Sequence, residues 1–187
     1  MVTHQKKTFS YAEADQKKRE AYLEQIKDID PENIVYSDET GIDDNEVLFT
    51  GWAPCGERCC AQKKAARKTR YNITAALNSN RLFAPFLFEG YSNSIVYETY
   101  VRCVLVPVLK PGMVVVIDNA RFHKSKKIVE LIEAAGCRLI FLPPYSPDYN
   151  PIEHWWTAVK NAIRRAAEGK RDFYKAAIQA LGKMCGA

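Results

Sequence analysis

Residues 112–119 read Gly-Met-Val-Val-Val-Ile-Asp-Asn. A continuous apolar run of β-branched character, closed by Gly on one side and Asp on the other, is the pattern of a strand buried on both faces of its sheet. Such a strand needs helices above and below it, which directs the chain to an α/β architecture. Asp118 then stands at the carboxyl end of a central strand, where open α/β sheets place their ligand sites.

The flanking sequence completes that architecture. Downstream, residues 125–135 are predicted as a helix stopped by Gly136, and 138–142 as a further strand. The Pro-rich loop Pro143-Pro144-Tyr145-Ser146-Pro147-Asp148-Tyr149-Asn150-Pro151 leads into a helix to about Ala167, and a last helix spans 172–184. Upstream, Ser92-Asn93-Ser94 offers a cap for a helix running to Val106, supported by the i,i+4 pair Glu98/Arg102. Residues 34–38 read as a strand with Ile34, Tyr36 and Asp38 on one face, because side chains alternate. Residues 47–53, 71–77 and 82–88 look like further strands of an antiparallel meander. Residues 10–27 read as a polar helix capped by Ser10, with Glu13 in capping-box position and Pro31 beyond its end. The expected product is an α/β mixed sheet with helices on both faces, preceded by a linker and helix over 1–31, with one main domain over 32–187.

Composition agrees with this and removes several classes. The chain has 187 residues, 47% apolar and 26% charged, enough for one sizeable core. No apolar run approaches the ~20 residues of a membrane span, and the first twenty residues lack the apolar segment of a secretory signal. A cytoplasmic, nucleoid-associated location is the expectation. The six cysteines lack the spaced ligand pairs of a structural zinc site and read as reduced thiols. A net charge of +5 says little, but its distribution is uneven: residues 32–46 are acidic without a base, and 58–70 are basic without an acid.

Three acids occupy telling places. Asp38 ends the first strand, Asp118 follows the buried run, and Glu153 opens the helix after the Pro-rich loop. Each has an ordinary explanation. Asp38 suits a strand end, Asp118-Asn119 suits a turn, and Asn150-Pro151-Ile152-Glu153 has the form of a complete capping box.

The strings Ser37-Asp38-Glu39-Thr40-Gly41, Val116-Ile117-Asp118-Asn119-Ala120-Arg121-Phe122-His123-Lys124-Ser125 and Leu142-Pro143-Pro144-Tyr145-Ser146-Pro147-Asp148-Tyr149-Asn150-Pro151-Ile152-Glu153-His154-Trp155-Trp156 occur in that order. Together they resemble the DDE transposases, in particular the bacterial insertion-sequence branch related to the mariner elements. The resemblance runs from about Lys6 to the C-terminus. It implies a ribonuclease-H-like fold, with the family's catalytic and metal-holding acids falling on Asp38, Asp118 and Glu153. It implies Mg²⁺ as cofactor, as two ions for which Mn²⁺ can substitute. It implies DNA as partner, at transposon ends and in a target duplex, with a homodimer as the assembly. Relatives carry helix-turn-helix modules before this domain, so a separately encoded DNA-binding module is a further expected partner. A nuclease or resolvase that only cuts, and an inactive DNA-binding remnant, are the alternatives.

Chemistry supports the same reading. Strand transfer is an in-line displacement at phosphorus, and two divalent ions roughly 3.5–4 Å apart stabilise the attacking and leaving oxygens. Mg²⁺ is hard and takes oxygen ligands, so a carboxylate trio without a Cys/His set suits it better than zinc.

Other residues carry weaker expectations. Asn119 and His123 follow Asp118 and support the site in one reading; in the other, His123 is a half-exposed loop residue. Glu39 falls on the opposite face from Asp38 and stays outside the site. Trp155 and Trp156 share a helical spacing with Ile152, Val159 and Ile163 and read as core. Lys160 and Arg164 lie on the same stripe as Glu153, and Lys63, Lys64, Arg67 and Lys68 belong to the basic block. All six are assigned to DNA phosphates.

Overall fold

The computed structural model describes residues 11–46, 53–58, 60 and 69–186. Within them, five strands form one mixed sheet: β1 (Ile34–Asp43), β2 (Arg70–Asn78), β3 (Arg81–Glu89), β4 (Val114–Ile117) and β5 (Arg138–Phe141), in the order β3-β2-β1-β4-β5. β2 and β3 form a hairpin whose two turn residues, Ser79 and Asn80, both have positive φ, the twist that matches flanking strands. β1 is antiparallel to β2 and parallel to β4, pairing Ile34 with Val114 through Ser37 with Ile117. β4 is parallel to β5. The expected strand at 47–53 falls almost wholly outside the described residues.

Helices cover both faces, as the apolar run at 113–117 required. Ile42, Ile73, Ala75 and Leu77 form one core with α4 (Glu153–Ala167) and α5 (Phe173–Cys185). On the same face, Tyr22 of α1 (Gln16–Ile26) packs with Ile34, Val114, Val116 and Ile140. Val35, Ala76, Val115 and Ile117 point the other way, into a core with α2 (Ser94–Tyr100) and α3 (Lys126–Ala134). All four side chains of β4 are buried.

Four local expectations change. α1 begins at Gln16, because the Asp15 side chain accepts from the N–H groups of Lys17 and Lys18; Ser10 lies outside the described residues. β1 runs on to Asp43, its polar second half held by pairing with β2 rather than by any apolar alternation. The helix expected to Val106 is regular only to Tyr100, then widens into a π turn over Val101–Leu105 and tightens over Val106–Val108. Pro107 supplies no N–H there, and the β-branched run crowds a regular helix.

The fourth change bears on the site. Asn150 does not cap α4 through its side chain. The Glu153 N–H bonds the Asn150 carbonyl, and residue 152 at the helix start makes no side-chain cap bond. The capping box is absent, so the Glu153 carboxylate is not consumed by its own helix.

Candidate active site

Asp38 shares the face of Ile34, Tyr36 and Ile42, and so meets α4. It is 8% exposed, and the indole Nε1–H of Trp156 donates to its Oδ2 at 3.2 Å. Burial drives its pKa up to about 7; the backbone N–H of Glu39 and the Trp156 bond oppose this, while the charges of Glu153 and Asp118 add to it. Trp156 is a core residue, as expected from its spacing, and also a ligand of this acid, which its spacing did not reveal.

Asp118 follows the last ladder pair of β4 and lies beside Asp38 across adjacent parallel strands. Its Oδ1 accepts from the Ala120 N–H at 3.0 Å and pairs with His123 Nδ1. Its burial raises the pKa, but the His123 bond and charge outweigh this and hold Asp118 below the usual carboxylate range. His123 is fully buried rather than half-exposed, with its ring against Tyr97 (centroids 3.9 Å) and Phe122 (4.2 Å). Its Nε2 lies 3.3 Å from Glu39 Oε2. Burial opposes its charge, yet the two carboxylates prevail and push its pKa up to about 9, which favours the imidazolium form. Glu39 does point away from Asp38, as strand alternation demands. It nevertheless joins the site's support from behind, because the turn after β4 carries His123 to that face.

Glu153 opens α4, and the Pro-rich loop before it is fastened to α1. Arg19 Nη1 donates to Ser146 Oγ (2.9 Å) and Asp148 Oδ1 (3.0 Å), and Nη2 donates to Asp148 Oδ2 (2.7 Å). The same guanidinium lies 3.9 Å from the centre of the Tyr149 ring. Asp38, Asp118, Asn119 and Glu153 all line one cleft of about 570 Å³, walled by residues 142–147.

This donor set fits a hard divalent cation. The three acids would offer oxygen ligands, and the charges of Asp118 and Glu153 disfavour ionisation of Asp38, a repulsion that a cation would relieve. The Oδ1 atom of Asn150, another lining residue, is buried without a hydrogen-bond partner. Among the described residues no three His, Cys, Asp or Glu side chains are grouped so that they could hold a metal ion as they stand; the three acids line one cleft.

The basic residues divide. Lys63, Lys64, Arg67 and Lys68 lie outside the described residues. Lys160 is half-buried, and that burial lowers its pKa, with the charges of Glu46 and Glu153 opposing. Arg164 is only 11% exposed; it pairs with Glu46 and donates to Asn161 Oδ1 at 2.9 Å, so its charge is spent inside the fold.

A mixed sheet in the order β3-β2-β1-β4-β5, with helices on both faces, is a ribonuclease-H-like fold. The profile of the DDE superfamily endonucleases matches residues 33–172, and the chain belongs to that family. Among solved structures, the chain is similar to the pre-cleavage Mos1 transpososome, with a TM-score of 0.68 at 15% identity, covering 100% of this chain and 60% of that one. It is similar to the Mos1 mariner paired-end complex with Mn at a TM-score of 0.66 and 16% identity, covering 99% and 60%. The catalytic domain of Mos1 mariner transposase alone gives 0.57 at 17% identity, covering 91% and 78%. The chain thus spans about 60% of the length of the Mos1 chains in the larger complexes. No curated protein sequence gives a significant match. Among the described residues no helix is long and apolar enough to cross a membrane.

Proposed function

We propose that the chain is the catalytic domain of a transposase, cutting DNA at transposon ends and joining the freed 3′-hydroxyl to target DNA. The observation that carries this is the convergence of Asp38, Asp118 and Glu153, from two parallel strands and a helix start, on one cleft. Asp38, Asp118 and Glu153 are the residues that would hold Mg²⁺, or Mn²⁺ in its place. When bound, the metal supplies Lewis-acid stabilisation of the oxygens at the reacting phosphorus and a lower pKa for an attacking water.

The chain's own residues supply the frame. The β1–β4 ladder fixes Asp38 beside Asp118, Trp156 orients Asp38, and the His123 imidazolium holds Asp118 ionised. The loop pinned by Arg19 delivers Glu153. Lys160, on the same helix as Glu153, is suited to the DNA backbone, with Lys63, Lys64, Arg67 and Lys68 as further phosphate contacts. Recognition of a particular end sequence is assigned to a separate helix-turn-helix module, since phosphate contacts carry no sequence information.

The test is a cleavage assay on an uncut transposon-end duplex together with a joining assay on a precut one. Wild-type chain should nick and join in Mg²⁺, and Asp38→Ala, Asp118→Ala and Glu153→Ala should each abolish both while remaining folded. Nicking without any joined product would reduce the assignment to a nuclease. Near-normal cutting by any one variant would remove that residue from the mechanism.

A further inference from the structure

The turn after β4 carries charge that the chemistry described so far leaves unused. Residues 119–127 hold Arg121, Lys124, Lys126 and Lys127 and no acid, and all four bases are exposed. The turn is firmly held. Asp118 Oδ1 accepts from the Ala120 N–H at 3.0 Å, and the His123 N–H bonds the Ala120 carbonyl at 3.1 Å. Phe122 and His123 turn inward, the histidine fully buried and both rings against Tyr97. With those two side chains anchored, Arg121 and Lys124 are left on the outside, and α3 follows at once with Lys126 and Lys127. Among the described residues Arg121 and Lys124 form no ion pair. Lys126 meets Glu130 at 3.4 Å and Lys127 meets Glu98 at 3.6 Å, but both lysines stand mostly in solvent, where such pairs contribute little.

Position gives these bases their meaning. Asp118, Asn119 and Ala120 line the acidic cleft, and the basic turn continues directly from them. It packs with α2 and α3, which cover one face of the sheet, whereas Lys160 stands on α4, which covers the other. Cationic side chains thus approach the three acids from both faces. Joining brings two duplexes to one site, the end that supplies the 3′-hydroxyl and the target that it attacks. An end held by a sequence-reading module is already concentrated at the cleft by that tether. A target of arbitrary sequence has no tether and is retained by its phosphates alone, through contacts that carry no sequence information. Long, exposed bases on a fixed turn suit that task. We infer that Arg121, Lys124, Lys126 and Lys127 form the surface that holds the backbone of the target duplex. The inference rests on the strand joining put forward under Proposed function and adds to it the surface that receives the second DNA.

The test uses the full chain with an uncut transposon-end duplex, a precut end, and a target plasmid unrelated to the end in sequence. The quadruple variant Arg121→Gln/Lys124→Gln/Lys126→Gln/Lys127→Gln should nick the uncut end in Mg²⁺ as wild type does. Its joining of the precut end should fall about tenfold or more at low target concentration. Raising the target concentration should restore joining, because the loss lies in target affinity and not in chemistry. Each base that meets a phosphate contributes about −0.9 to the slope of log K against log salt, so joining by the variant should also be less sensitive to salt. Arg121→Gln/Lys124→Gln should show an intermediate loss. Lys110→Gln, which removes an exposed lysine before the amino end of β4, should join as wild type does. Equal joining by wild type and the quadruple variant would overturn the target surface and leave the transposase reading standing. Parallel loss of nicking and joining would assign these bases to the transposon end, which overturns the inference as well. Wild type that nicks but never joins would overturn the transposase reading and this one with it.

Discussion

The indole of Trp156 donates a hydrogen bond of 3.2 Å to the carboxylate of Asp38, joining the first turn of α4 to the middle of β1. One side chain thereby fills the core and aims a candidate metal ligand. Hydrogen bonds to a charged group contribute about 1.5–3 kcal/mol, and this one favours the ionised acid. Trp156→Phe keeps most of the ring but removes the donor. We expect a folded variant whose Mg²⁺-dependent cutting is reduced at least tenfold near pH 7 and partly restored at higher pH. A rate–pH profile identical to wild type would show that the bond does not matter.

Asp38 also makes the metal-free protein pH-sensitive. Its folded pKa, about 7, lies above the ordinary carboxylate value of 3.8. The folded chain therefore holds a proton that the unfolded chain releases, and stability falls as pH rises from about 4 to about 7. At ~1.4 kcal/mol per pKa unit the loss is on the order of a few kcal/mol. In EDTA at pH 8, Asp38→Asn should melt at a higher temperature than wild type, and at pH 4 the difference should vanish. A lower melting temperature for the variant at pH 8 would contradict this account.

His123 works in the opposite sense. Its folded pKa is raised to about 9 by Asp118 and Glu39, so its contribution is full below the ordinary value of 6.5 and is lost as pH rises through about 9. Glu39→Gln keeps the shape and removes one of the two charges. NMR titration of the imidazole should show a lower pKa in that variant, with its stability declining at lower pH than in wild type. An unshifted titration would mean that Glu39 does not act through His123.

Glu153 makes no capping bond. Glu153→Ala should therefore change thermal stability by less than about 0.5 kcal/mol, whereas loss of a real capping box costs about 1 kcal/mol. Urea melts of the two proteins in EDTA decide between these values.

What the sequence reveals and what it conceals follow from the range of the interactions. The run Val114–Ile117 and the alternation of Ile34, Tyr36 and Asp38 are local patterns, and they disclosed the central strands, both covered faces and the side of the sheet on which Asp38 lies. The capping-box string was also local, but it described a bond the backbone makes without the side chain. Arg19 reaches Ser146 and Asp148 across most of the chain, and Arg164 turns to Glu46 rather than outward. No periodicity encodes such pairs. Strand alternation correctly places Glu39 on the face opposite Asp38, but alternation does not see a histidine arriving from another loop.

The ladder between β1 and β4 has one more implication. Asp38 and Asp118 each follow a residue of the same hydrogen-bonded pair, Ser37 and Ile117. Their spacing is thus set by the pitch between neighbouring strands, about 4.8 Å, and not by the long stretch of chain that connects them. Lengthening or trimming the connection after Asp43 leaves this ruler untouched. The protein can acquire new surface between Asp38 and Asp118, in nature or by engineering, without recalibrating the distance between these two candidate metal-holding acids.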